Sequence, residues 1–144
     1  MILKTRLNEV SDRPMLIEGY AAIFDTPDMV GDVVRAGAFS RTLRRSSRPP
    51  MLLQHKCGAI AGEWVRIVED GYGLFVRGLI KGVSTRALTK DGLDGLSIGF
   101  RPVRWHARAP GGRELTDVEL VEVSLVAEPM QPAARFAPVC RLAA

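Results

Sequence analysis

The stretch AIAGEWVRIVEDGYGLFVRGLI, residues 59–80, decides the fold class. Residues 59–70 alternate partially between apolar and polar side chains, the period of a half-buried strand. Gly71-Tyr72-Gly73 supplies turn chemistry, and LFVRGLI, 74–80, is again rich in β-favouring residues. Two such runs joined by a short glycine turn form a hairpin, so these strands are antiparallel.

Outward from the hairpin, the same signals recur. MLIEGYAAIF, 15–24, reads as a strand whose internal glycine marks a bulge or bend. MLLQH, 51–55, is a short apolar strand that delivers His55 at its end. LSIGFRPVRWH, 96–106, is a strand in which Pro102 requires an edge or a bulge. LTDVELVEVSLV, 115–126, is a long β-favouring segment.

Two segments carry helical spacing. GAFSRTLRR, 37–45, places Phe39 and Leu43 four apart and is stopped by SSRPP. STRALTKDG, 84–92, has Ser84 positioned to cap it and Gly92 after its end. DTPDMVGD, 25–32, and RAPGGREL, 108–115, are loop or turn chemistry. AEPMQPAARFAPV, 127–139, is a proline-containing tail with at most one helical turn. This order predicts a mainly β (α+β) fold, an antiparallel β-barrel with a few flanking helices, rather than a doubly wound parallel sheet.

With 144 residues the chain suits one domain, 1–144, with its core over about 15–130. No apolar run approaches the roughly 20 residues of a membrane helix. MILKTRLNEV at the start lacks the apolar centre of a secretion signal, so an intracellular site is expected. The net charge of +4 is mild. Its densest source, RTLRRSSR at 41–48, fits a solvated helix end and loop, or a surface for an acidic partner or nucleic acid. No aromatic residue interleaves with it, so specific nucleic-acid binding is not expected. Cys57 and Cys140 form no C-x-x-C pair and read as free thiols. Cys57 lies two residues after His55, yet two histidines and two cysteines do not suit a closed zinc site. No metal or cofactor is expected.

Gly95-x-Ser97-x-Gly99 has the form of a nucleophile elbow. An α/β-hydrolase needs serine, acid and histidine in that order. The only histidine after Ser97 is His106, with no acid between them and too little chain beyond for that fold. His55 before Ser97 leaves another order: histidine, serine, then an acid among Glu114, Asp117, Glu119, Glu122 and Glu128. Alternation puts Val121, Val123 and Leu125 on one face, with Glu122 and Ser124 on the other. A carboxylate set between valines is costly to bury unless paired, and a histidine partner would explain it. Taken singly, Ser97 fits a packed strand serine, His55 a strand-end histidine bonded to backbone or water, and Glu122 a solvent-facing position. His106, near the APGG turn, fits the surface.

Five blocks in order carry a resemblance: GYAAIFDTPDMVGDVVRAGAFSRTL at 19–43, LLQH at 52–55, GLFVRGLI at 73–80, DGLSIGF at 94–100 and ELVEVSLVAEPM at 119–130. Together they resemble the prohead (capsid maturation) serine proteases of HK97-type tailed phages, which also occur in prophages and gene transfer agents. The resemblance implies a fold similar to the herpesvirus assembly proteases and a Ser-His-acid site. Block by block it implies Ser97 as nucleophile, His55 as general base and Glu122 as third member. The herpesvirus relatives use a second histidine there, which keeps His106 as an alternative. It implies a serine endopeptidase acting in host cytoplasm inside the assembling procapsid. The implied substrates are the scaffold segment of the major capsid protein or a separate scaffold, and the enzyme itself; a homodimer follows by analogy. The competing readings are a non-catalytic β-barrel assembly or scaffold-binding module, and a nucleic-acid-binding barrel resting only on charge.

Overall fold

The computed structural model describes residues 14–45 and 47–139; MILKTRLNEV and Cys140 lie outside them. In chain order the strands are β1 (Met15–Ile23), β2 (Val33–Val34), β3 (Met51–Leu53), β4 (Ile60–Glu69), β5 (Gly73–Ile80), β6 (Gly95–Ala107), β7 (Arg113–Val126) and β8 (Phe136–Pro138). Helix α1 (Val83–Lys90) links β5 to β6, and a 3-10 turn spans Thr42–Arg44. Among the described residues no helix is long and apolar enough to cross a membrane.

The β4–β5 hairpin forms as its sequence predicts. Its turn is held by Asp70, whose Oδ1 accepts from the N–H groups of Tyr72 (2.8 Å) and Gly73 (3.0 Å). β1 adds antiparallel to β5, with its register shift between Tyr20 and Ala22, beside the expected bulge. Pro102 stands in β6, which pairs in the sheet with β7 alone, and the ladder slips after it, between Pro102 and Arg104.

Among the described residues all eight strands join one sheet in the order β2-β7-β3-β4-β5-β1-β8, with β6 on β7. The mainly β, mainly antiparallel sheet forms as expected, but it does not close into a barrel. β2 and β3 both run parallel to β7. The sheet also stays open, because β8 is only three residues long and its approach to β6 is a single bridge, Gly95 to Arg135. One bridge is not a ladder.

The helical expectations divide. α1 forms over the predicted stretch and ends before Gly92, whose φ of 109° suits glycine. Ser84 does not cap it; Gly82 holds the cap position. Residues 37–45 make turns and the 3-10 segment instead of an amphipathic helix. Tertiary bonds tie this segment to the sheet. Glu69 accepts from the N–H groups of Gly37 and Phe39 (2.9 and 3.1 Å), and Thr42 Oγ1 accepts from Leu120 N–H (3.0 Å). Phe39 is thereby driven fully into the core beside Met51, Leu74, Leu115, Val118, Val123 and Leu125. Each such buried side chain contributes about 1.5–3 kcal/mol.

Candidate active site

β7 is the spine of the site. β3 lies parallel to it with Leu52 opposite Ser124 and Leu53 opposite Leu125. The chain then turns through Gln54 and His55, both left-handed at φ 54° and 60°. Two bonds to the end of β7 hold this turn. Gln54 N–H donates to the Leu125 carbonyl (2.8 Å), and Gln54 Oε1 accepts from Ala127 N–H (3.2 Å). The left-handed backbone is sparsely populated for such residues, and this anchoring over-determines it.

The turn aims His55 back over β7. His55 Nδ1 is hydrogen-bonded to Glu122 Oε1. Ser124 Oγ donates to Glu122 Oε2 and accepts from His55 N–H (3.2 Å). Glu122 and Ser124 share a strand face and are 7% and 0% exposed, so the carboxylate has left water for these two partners. An ionised carboxylate only accepts, which places the imidazole proton on Nδ1 and leaves Nε2 as the basic nitrogen.

β6 brings Ser97 and Gly99 to the same face, Ser97 opposite Ser124 and Gly99 opposite Glu122. Ser97 and His55 line one cavity of about 390 Å³. Among the described residues Ser97 Oγ has no hydrogen-bond partner. Nucleophile–base contacts commonly tighten only when substrate arrives.

Gly99 serves a purpose its sequence does not announce. A Cβ there would lie 2.3 Å from Glu122 Oε1 and 2.8 Å from its Cδ. The glycine is the space into which the carboxylate folds. Gly99→Ala is therefore expected to push Glu122 off His55 and lower kcat by at least about 10²-fold. Steady-state kinetics of the folded variant check this, and unchanged kcat would remove Gly99 from the account.

Across the cavity lies an ion pair that no sequence motif marks. Asp32, 6% exposed, accepts from Arg113 Nη2 (2.7 Å) and Nε (3.2 Å). The Arg113 guanidinium holds the Asp32 carboxyl below the usual carboxylate range, so the pair stays ionised at neutral pH. Burial pushes neighbouring Asp28 up, against the pull of the Asp32 and Val30 N–H groups. Both aspartates line the cavity with Ala22, Val34, Leu96 and Leu115.

His106 stands apart. It is nine residues along β6 from Ser97, on the order of 25–30 Å. Its Nε2 is 3.0 Å from Glu114, which Arg35 also engages. Cys57 is exposed, and among the described residues no three His, Cys, Asp or Glu side chains cluster as metal ligands. Ser124 also went unremarked as a site residue, although the alternation that paired it with Glu122 is the signal that finds it.

The sequence profile of the caudovirus prohead serine proteases matches residues 2–143. The chain belongs to this family. Within it, the prohead protease of Enterobacteria phage HK97 is 33% identical over 132 residues, covering 85% of this chain. The chain spans 59% of that relative's length. Among solved structures, the KSHV protease in complex with a hexapeptide phosphonate inhibitor superposes with a TM-score of 0.59 at 13% identity, over 90% of this chain and 66% of that one. Varicella-zoster virus protease gives 0.59 at 14%, over 90% and 65%. At such identities the likeness is one of fold: this family member has a herpesvirus-protease-like fold.

Proposed function

We propose that the chain is a serine endopeptidase of capsid maturation, one protease domain over residues 1–144, with Ser97 as nucleophile, His55 as general base and Glu122 as orienting acid. The observation that carries this reading is the bond from His55 Nδ1 to buried Glu122, made where His55 and Ser97 line one cavity.

In this mechanism His55 Nε2 takes the Ser97 proton as Oγ attacks the scissile carbonyl. The imidazolium then protonates the leaving amine, and the peptide C–N bond breaks to give an acyl-enzyme. Water, activated by His55, releases the acid and regenerates Ser97. Glu122 stays ionised and stabilises the imidazolium through Nδ1–H. Backbone N–H donors at the oxyanion would each supply about 3–4 kcal/mol. Family membership supports the substrates: the scaffold segment of the major capsid protein or a separate scaffold, and the enzyme itself, inside the procapsid in the host cytoplasm. A homodimer belongs to the same reading.

A fluorophosphonate tests the nucleophile directly. The expected result is one adduct, mapped by mass spectrometry to the Ser97 peptide and slowed at least about 10²-fold in His55→Ala. No adduct on Ser97 in folded protein, or equal labelling of both chains, would overturn the assignment.

A further inference from the structure

The basic run at 41–48 plays no part in the site just described. Several of its residues line a second cavity, of about 610 Å³, which shares no lining residue with the Ser97 cavity. Four consecutive β4 residues, 65–68, and three consecutive β7 residues, 119–121, line it. Side chains of a strand alternate between faces. Bulges at Val65 and Val121 break that alternation here, and the cavity follows the edges of both strands.

The pairing shows how that edge arises. β3 separates β4 from β7 but is three residues long, and it matches β4 only at Ile60 and Gly62. Beyond Gly62 the β3-side edge of β4 has no strand partner among the described residues, and the sheet splits. An unpaired edge offers a row of N–H and C=O groups to another chain.

The walls define what that chain would be. Leu43, Leu120 and half-exposed Val65 and Val121 give apolar contacts. Arg48, Arg66 and Arg101 stand around the groove with no carboxylate partner among the described residues. Its one acid among the described residues, Glu119, is neutralised by Arg45 at 3.0 Å. Among the described residues no aromatic side chain lines it, so bases have nothing there to stack on. An apolar, edge-lined groove with unpaired arginines suits a polypeptide better than a nucleic acid.

We propose that this groove docks an acidic, extended polypeptide segment of a partner, added as a strand along the free edge of β4. Alternate apolar side chains pack on Val65, Leu120 and Val121, and the carboxylates between them meet Arg48, Arg66 and Arg101. The site is separate from the Ser97 cavity and does not depend on the chemistry there.

The test uses the full chain carrying Ser97→Ala, so that no probe is cut. The probes are a fluorescently labelled peptide alternating Glu and Val over about eight residues, its Gln-for-Glu counterpart, and a labelled oligo-dT strand. Anisotropy is expected to show the acidic peptide binding at least about tenfold more tightly than either other probe, a difference of about 1.4 kcal/mol. Raising salt from about 50 to about 300 mM weakens it. Arg66→Glu with Arg101→Glu, both exposed and unpaired, is expected to abolish binding with Tm unchanged. Equal binding of the Glu and Gln peptides, tighter binding of oligo-dT, no binding of the acidic peptide, or undiminished binding by the double variant each overturns the proposal.

Discussion

Ser97→Ala is expected to lower kcat by about 10⁵–10⁶-fold while shifting Tm by less than about 3 °C. The two halves follow from different facts. The kinetic loss is that of a nucleophile removed from a unit whose members act together. The thermal indifference follows because Ser97 Oγ makes no hydrogen bond among the described residues, so alanine leaves no broken partner there. Steady-state kinetics and a thermal melt on the same preparation check both. A large fall in Tm would make Ser97 a structural serine, and a kcat within tenfold of the parent would deny it the chemistry.

The second large effect belongs to Glu122→Gln, with kcat expected to fall about 10³–10⁴-fold. Glutamine is isosteric, so it fits beside Gly99, but it carries no charge to stabilise an imidazolium. It also no longer offers two acceptor oxygens, one to His55 Nδ1 and one to Ser124 Oγ. Once its amide turns toward His55, it donates to Nδ1 and leaves the proton on Nε2, the wrong tautomer for a base. The coupling is the sharper readout. In the proposed mechanism Glu122 acts through His55, so the double variant His55→Ala, Glu122→Gln should be no slower than His55→Ala alone. Additive losses would mean that Glu122 works elsewhere.

Much of this site is legible in residue order. The alternation over 119–126 sets Glu122 among valines and the short apolar MLL delivers His55 at its end, but the choice of Glu122 among five acids rests on the family resemblance. The histidine, serine, acid order excludes the α/β-hydrolase alternative. The role of Gly99 is not legible. Its space is filled by a side chain 23 residues away in sequence, and only the β6–β7 register brings them together. Ser124 needed the same register to become more than a small strand residue.

The fold shows a similar division. Local chemistry predicts the 59–80 hairpin, the β1 bulge and the β6 proline. It misses β2 and β8, two and three residues long, because runs that short carry no period. Residues 37–45 show how tertiary bonds override spacing. Phe39 and Leu43 sit at helical separation, yet only Thr42–Arg44 winds, as a 3-10 turn, while Glu69 and Leu120 tie the segment to the sheet. Whether the sheet closes also depends on non-local pairing, which is why a barrel was expected and an open sheet found.

The most direct test of a capsid-maturation endopeptidase is the intact mass of the major capsid protein co-expressed with this chain and, in parallel, with Ser97→Ala. The account predicts a shortened capsid protein with the parent chain and the full-length one with the variant, both chains being folded and incorporated in the procapsid. A full-length capsid protein in both, or a shortened one in both, would contradict it.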